Sequence, residues 1–318
     1  MLVRRKELTT CLMVMVGPSQ RLLNLCESSK SAVLVPGVHD ALSARVFRQQ
    51  GAQALFLSGF GVSSVLLGQP DAGILTYSEM ESVARVVCAT ANEHGIPVMV
   101  DGDTGYGGTA QMRRAIRGLA GIGAAAITIE DQSFPKKCTY ITGQGVRVVD
   151  RSTSVARLRC ALAARQEAHE KDGNHVALVG RTDCRAALGF SEALSRCLTY
   201  QELGCDIVYA ENLQSRQEYV ELRRTIEGTP LMLAQVQLGS NVKQDLYSLQ
   251  DISNMGYQLA LMGISGLQAA LKALQDVAQE MQQGDGIVRE RPLAAFDDVK
   301  AAVNYMDLED FESNFHCE

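Results

Sequence analysis

The chain has 318 residues, 46% of them hydrophobic and 21% charged, with a formal net charge of −6. That composition allows a large buried core. It supplies no basic block for a nucleic-acid surface, and no apolar run approaches the roughly 20 residues that cross a bilayer. Nine cysteines, an odd number without C-x-x-C spacing, argue against a disulfide framework and a zinc cluster, and point to a reducing compartment.

The start of the chain is basic over residues 1–6 and apolar over residues 11–16. The apolar run is short and no small-residue cleavage site follows it. The expectation is a cytoplasmic protein, with an organellar leader as the alternative. From there, short runs rich in Val, Ile and Leu alternate with longer amphipathic stretches, the pattern of buried parallel strands and covering helices. Strands are predicted at residues 32–35 and 54–57, a helix at 78–93, and strands at 98–101 and 126–130. A helix at 152–171, a strand at 177–181 and a helix at 191–203 follow. Strands at 207–210, 231–234 and 259–262 and a helix at 265–283 complete the series. Several helices open on Ser or Thr, as N-caps do. Gly51, Gly95, Gly123, Gly204 and Gly256 each sit just before a strand, where a helix must end in a left-handed turn. Eight such units predict an α/β fold, a closed (β/α)8 TIM barrel. An open doubly wound sheet would carry a Gly-rich phosphate loop after its first strand. This chain has Pro36-Gly37-Val38-His39-Asp40 there. The barrel domain, with an N-terminal helix, is expected over residues 1–285, and a tail of one or two outer helices over 286–318.

Active sites of such barrels form at the carboxyl ends of the strands. Those ends carry Ser58, Asp101 and Asp103, Glu130 and Asp131, Arg181 and Asp183, Glu211, and Gln235. One Arg cannot offset so many buried carboxylates, whereas a divalent cation can. An all-oxygen set suits Mg²⁺, and Mn²⁺ accepts the same ligands. The strongest motif is Val100-Asp101-Gly102-Asp103-Thr104-Gly105-Tyr106-Gly107-Gly108. Strand alternation would send its two Asp side chains to opposite faces, but leaving the strand at Gly102 lets both approach one ion. The competing reading is an Asp-capped turn. For Glu130-Asp131 it is a salt-bridged strand end, and Asp71 looks like an ordinary turn residue.

In Phe134-Pro135-Lys136-Lys137-Cys138-Thr139-Tyr140, two lysines beside a thiol are expected to favour thiolate. With Gly143 and Gly145 as hinges, the segment has the makings of a lid; a surface loop is the alternative. Arg181 suits a bidentate hold on a carboxylate or phosphate, or serves as an internal counter-ion to Glu211 or Asp183. His39, His94, His169 and His175 lack metal-ligand spacing.

Together these motifs resemble the isocitrate lyase/phosphoenolpyruvate mutase superfamily. Leu57-Ser58-Gly59-Phe60-Gly61, Gln69-Pro70-Asp71-Ala72-Gly73, the Asp101 motif, Ile129-Glu130-Asp131-Gln132, Lys136-Lys137-Cys138, Arg181-Thr182-Asp183 and Ala210-Glu211 occur in its order and spacing. The chain looks most like the methylisocitrate lyase branch and the plant carboxyvinyl-carboxyphosphonate phosphorylmutase-like proteins, from about residue 33 to about residue 273. The resemblance implies that Asp101 binds Mg²⁺ directly and that Asp71, Asp103 and Glu130 hold it through water. It implies that Ser58, Gly59 and Phe60 contact an oxo acid, that Arg181 stabilises developing charge, and that Cys138 is the acid/base on a mobile lid. Glu211 completes the expected catalytic set, and Lys136, Tyr140 and Gln235 the substrate-binding set. A homotetramer with an exchanged last barrel helix is implied too, with a small carboxylate as partner and neither nucleic acid nor membrane.

Three departures mark this chain. Lyases continue the Cys motif with Gly and His, where Thr139 and Tyr140 stand here, and Tyr is not normally cationic. The seventh strand of the family usually ends in Asn and here ends in Gln235. Gln237-Leu238-Gly239-Ser240 then replaces a more polar segment. The implied activity is Mg²⁺-dependent cleavage of a C–C bond in a 2-hydroxy di- or tricarboxylate. The alternatives are oxaloacetate hydrolase or decarboxylase activity, phosphonate or phosphoenolpyruvate mutase chemistry, and a catalytically silent binding protein.

Overall fold

The computed structural model describes residues 16–142, 145–239 and 245–315, so the leader-like residues 1–15 and the hinge Gly143 lie outside the described residues. Helix α1 (Pro18–Ser28) precedes β1 (Val33–Val38), α2 (Ala41–Gln49), β2 (Leu55–Leu57) and a single turn, α3 (Gly59–Val62). Next come α4 (Tyr77–Asn92), β3 (Val98–Asp101), α5 (Thr109–Gly121), β4 (Ala126–Glu130), the short α6 (Thr139–Thr142) and α7 (Arg151–Asp172). The series continues with β5 (Ala177–Thr182), α8 (Arg185–Leu188), α9 (Phe190–Glu202), β6 (Ile207–Ala210), α10 (Arg216–Thr225), β7 (Leu231–Gln235), α11 (Leu249–Asn254), β8 (Leu259–Met262) and α12 (Ser265–Gln283). Two tail helices follow, α13 (Phe296–Ala302) and α14 (Tyr305–Ser313).

The eight strands close into a barrel in sequence order, and the expected fold is the one observed. Every neighbouring pair, including β1 with β8, is parallel. Strand alternation sorts the apolar residues into two layers. Val33, Val35, Phe56, Met99, Ala126, Val179, Ile207, Tyr209, Met232, Ala234, Leu259 and Leu261 form the lumen core, which also takes in Leu22 and Cys26 of α1. The opposite parity, including Leu57, Val100, Ile127, Ile129, Leu178, Val208 and Leu233, packs under the surrounding helices. Each buried Val, Leu or Ile contributes about 1.5–3 kcal/mol.

The element boundaries differ from expectation where local chemistry was misread. β1 does not stop before Pro36: Pro36 aligns with Met262, and Gly37 and Val38 with Phe56 and Leu57 of β2. Gly37 is required there, because a Cβ would lie 1.8 Å from the carbonyl oxygen of Gly263. The expected serine caps also shift. Thr76 and Asp150 cap α4 and α7, two residues before Ser78 and Ser152, while α9 starts at Gly189 and α12 at Ile264 without a side-chain cap. The five pre-strand glycines do take the left-handed conformation, at φ +74 to +90°.

No residue of α12 is buried, and its Leu271 and Leu274 are 55% and 68% exposed. Among the described residues, no helix is long and apolar enough to cross a membrane.

A prediction separates the two roles of glycine. Gly37→Ala should destabilise the fold by about 3 kcal/mol or more, since backbone opposes the new methyl and cannot rotate away. Gly51→Ala, at φ +88° with nothing within 4 Å, should cost about 1 kcal/mol from backbone strain alone. Urea unfolding of both variants measures the difference.

Candidate active site

The lumen parity that buries Met99, Val179 and Tyr209 continues upward to Asp101, Arg181 and Glu211, two residues further on each strand, and on β4 it reaches Glu130. These side chains, with Ser58, Phe60, Asp71, Lys136, Cys138, Thr139, Tyr140 and Gln235, line a cavity of about 230 Å³ at the carboxyl ends of the strands. All the expected site residues except Gly59 and Asp103 line it. Those two are bonded to groups that do.

The acidic side is tightly organised. Asp101 Oδ2 accepts the Gly59 amide at 3.2 Å, and its Oδ1 accepts the Asp103 amide at 3.1 Å. Glycine at 59 is what allows this approach, because a Cβ would lie 2.9 Å from Asp101 Oδ2. β3 ends at Asp101 and the chain turns sharply, with Asp103 at φ +55° and Tyr106 at φ +60°. Asp103 is thereby swung round to the carboxylate of Asp71, and the two share the Lys136 ammonium, at 2.8 Å from Asp71 Oδ1 and 3.1 Å from Asp103 Oδ2. Strained turns of this kind persist where the surroundings over-determine them. Burial raises the Asp71 carboxyl against the lowering pull of Lys136, and the nearby Asp101 raises it further.

Arg181 is held by three acids. It pairs with Asp183 through Nε at 2.8 Å and Nη2 at 2.7 Å, and Nη2 lies 3.0 Å from Glu211 Oε2 and 3.4 Å from Glu130 Oε2. The counter-ion reading of Arg181 is therefore met by both Asp183 and Glu211. Burial holds Glu130 well above the usual carboxylate range despite Arg181, and Asp183 is pushed up to about 6 chiefly by burial. Tyr209 donates its hydroxyl to Glu211 Oε2. Sequence reading missed Tyr209, although it stands two residues before Glu211 on one strand and so shares its face.

Neighbouring residues split by parity. Glu130 faces the lumen, whereas Asp131 faces the helices. Asp131 accepts from the Thr182 hydroxyl at 2.5 Å, the Asp183 amide at 2.8 Å, Arg196 Nη1 at 2.8 Å and the Tyr200 hydroxyl at 3.0 Å. It is a buried structural acid. Gln235 has the outward parity too, and its amide clasps the backbone of Tyr247, donating to the carbonyl at 2.9 Å and accepting the amide at 2.7 Å.

The thiolate expected at Cys138 is not what the structure favours. Burial pushes the thiol up to about 11, and the negative charges of Asp71 and Glu211 add to the shift. The lysine credited with the opposite effect, Lys136, is turned into the acid cluster, where its charge is shared by Asp71 and Asp103.

The acid excess decides what the site fits. Asp71, Asp101, Asp103, Glu130, Asp183 and Glu211 surround only two side-chain cations, Lys136 and Arg181, among the described residues. Glu130 Oε1 and Glu211 Oε1 are buried without a hydrogen-bond partner. Such an oxygen-only set fits a hard divalent cation. No three described His, Cys, Asp or Glu side chains converge as direct ligands. The set therefore fits an ion that keeps much of its water, as Mg²⁺ does.

Residues 22–282 match the phosphoenolpyruvate phosphomutase family. The chain is 32% identical over 258 residues to 2,3-dimethylmalate lyase of Eubacterium barkeri, covering 81% of this chain and 84% of that one. It is 32% identical over 254 residues to 2-methylisocitrate lyase of Aeropyrum pernix, covering 80% and 77%. The crystal structure of 2,3-dimethylmalate lyase in its trigonal form superposes with a TM-score of 0.84 at 28% identity, covering 95% of this chain and 96% of that one.

Two predictions follow from the geometry. Asp131→Ala should lose roughly 3–5 kcal/mol of stability, because Arg196 Nη1, the Thr182 and Tyr200 hydroxyls and the Asp183 amide all lose their buried acceptor, with Arg196 keeping Glu192 at its Nε. Thermal and urea unfolding measure it, and Asp131→Asn, which keeps an acceptor oxygen for these donors, should lose less. In metal-free protein, alkylation of Cys138 by iodoacetamide should keep accelerating through pH 9 and level off only near pH 11, read by mass spectrometry of its peptide.

Proposed function

The chain belongs to the phosphoenolpyruvate phosphomutase family, an enzyme family of lyases and mutases, and we propose that it is a Mg²⁺-dependent carbon–carbon lyase acting on a 2-hydroxy di- or tricarboxylate. The products are a pyruvate-like or glyoxylate-like oxo acid and a second carboxylic acid. The observation that carries this reading is the meeting, around one cavity, of an acid-rich oxygen cluster with the half-buried Cys138, whose thiol is pushed up to about 11.

In this reading Asp101, Asp71, Asp103 and Glu130 would hold the metal ion. Once bound, the ion supplies Lewis-acid polarisation of the substrate's C2 oxygen and neutralises its carboxylate. Ser58, Gly59 and Phe60 seat the oxo-acid end. Glu211, set beside Arg181 and Tyr209, takes the proton of the 2-hydroxyl as the C2–C3 bond breaks and C2 becomes a carbonyl. The electron pair of that bond moves onto the departing carboxylic acid, whose carbanion takes the Cys138 proton. A thiol held up near 11 suits that task, because it keeps its proton until a much stronger base presents itself. Arg181 steadies the negative charge as it builds.

We also propose a homotetramer in which α12 is exchanged between neighbouring subunits. The support is the apolar face of α12, exposed at Leu271 and Leu274, which a single copy leaves uncovered. Light scattering should give four times the chain mass, and Leu274→Glu should lower it.

The activity test is release of an oxo acid or aldehyde from a panel of 2-hydroxy diacids, 2-hydroxy triacids and oxo diacids, with Mg²⁺ and with EDTA. Turnover should require the metal. Cys138→Ser should lower kcat by ~10²–10⁴ while Mg²⁺ binding stays intact. Oxalate and acetate from oxaloacetate would instead identify a hydrolase, and no product from any compound would refute the catalytic reading.

A further inference from the structure

Glu211, the base of the proposed lyase, lines the reaction cavity, and its two carboxylate oxygens are not equivalent. Oε2 accepts the Tyr209 hydroxyl and lies 3.0 Å from Arg181 Nη2. Oε1 is buried and, among the described residues, has no hydrogen-bond partner. A carboxylate oxygen offers about two lone-pair sites. Both sites of Oε2 are therefore filled, and Oε1 is the atom left to accept a proton.

Tyr209 holds both charged groups of this pair. It is the register partner of Arg181 across β5 and β6, and the guanidinium carbon lies 5.4 Å from the centre of its ring, within cation–π reach. Its hydroxyl goes to Glu211, two residues further along the same face. The side chain is 1% exposed in the lumen core with Met99, Val179 and Met232, so close packing denies it another place. The Glu211 backbone is fixed as well, because its amide donates to the Thr182 carbonyl at 2.9 Å. Rotation of the Glu211 carboxylate is the freedom that remains, and the Tyr209 hydroxyl is placed to remove it. Tyr140 also stands close to Glu211, whose charge adds to burial in raising its phenol, and its hydroxyl donates to the Ala234 carbonyl at 3.3 Å.

We propose that Tyr209 is a positioning residue for the base: its hydroxyl, bound to Oε2, keeps Glu211 from turning both oxygens onto Arg181 and so reserves Oε1 for the proton of the substrate's 2-hydroxyl. The proposal rests on the lyase reading above and deepens it by naming the accepting atom and the group that selects it. Arginine readily takes a carboxylate through two parallel hydrogen bonds, as Arg181 already does with Asp183 through Nε and Nη2. A second such fork, to Glu211, would spend Oε1 on the guanidinium and make it a weaker base. Tyr209 supplies the competing donor. Burial, and then the charge of Glu211, raise its phenol well above the ordinary value, so it stays a donor. In the step itself the substrate O–H bond breaks, the new O–H bond forms on Oε1, and Tyr209 keeps its own proton.

The test is a double-mutant cycle on the full chain with excess Mg²⁺. Turnover is followed as pyruvate released from 2-methylmalate and glyoxylate released from malate, and on the rest of the panel above where the unaltered chain prefers another acid. Oxalate, measured by calorimetry, is the binding probe. Tyr209→Phe keeps the ring beside Arg181 and removes one oxygen. It should lower kcat by ~10–100-fold while KM and the oxalate dissociation constant stay within about twofold. In a Glu211→Gln background the same substitution should change kcat by less than about twofold, because its route of action is gone. Near-normal kcat in Tyr209→Phe, an equal loss in both backgrounds, or a rise in KM with kcat unchanged each overturns the positioning role and leaves the lyase reading standing. No oxo acid from any compound with the unaltered chain overturns the lyase reading and the role of Tyr209 together.

Discussion

Six carboxylates gather at the mouth of an apolar barrel, and most of the local architecture is arranged around their mutual repulsion. Desolvation alone would drive such groups to protonate or apart. Each is therefore tied down by a specific partner. Two backbone amides hold Asp101, Lys136 bridges Asp71 and Asp103, and Arg181 gathers Asp183, Glu211 and Glu130. The glycine at 59, the left-handed Asp103 and the buried lysine in the segment after β4 are each consequences of that requirement. The cluster is still short of positive charge, which leaves a place for a divalent ion.

A second layer keeps the first in register. Asp131, just outside the lumen, binds Thr182, the Asp183 amide, Arg196 and Tyr200, and so couples β4 to β5 and to α9. Gln132 reaches back from the same stretch to Asp183 at 3.1 Å and accepts the Lys137 amide at 3.0 Å. The segment after β4 is therefore tied to Asp183 from its start. Positioning groups of this sort hold reacting side chains to the tolerance that catalysis needs.

The thiol shows how a three-dimensional field overrides a local one. Two lysines adjacent in sequence suggest an activated thiolate, yet Lys136 turns inward to the acids, and burial with the negative charges of Asp71 and Glu211 pushes the Cys138 thiol up. The same stretch brings Tyr140 to the cavity wall beside Cys138.

Much of this protein was legible in one dimension. Eight Val/Ile/Leu runs, five of them led by a helix and a glycine, specify a parallel barrel, because buried strands and left-handed helix ends leave few other folds possible. Polar residues at the carboxyl ends of those runs specify where chemistry sits. Period-two alternation already separates Glu130 from Asp131 and pairs Tyr209 with Glu211 for a reader who applies it. What the sequence could not decide depends on charges that meet across the barrel. Asp71 looks like a turn residue until Lys136, 65 positions away, is brought to 2.8 Å from it. The raised thiol of Cys138 and the occupancy of Arg181 by three acids are likewise products of distance in space. Local patterns determine which groups are buried and on which face; only tertiary structure decides which of them meet, and meeting is what sets their charge.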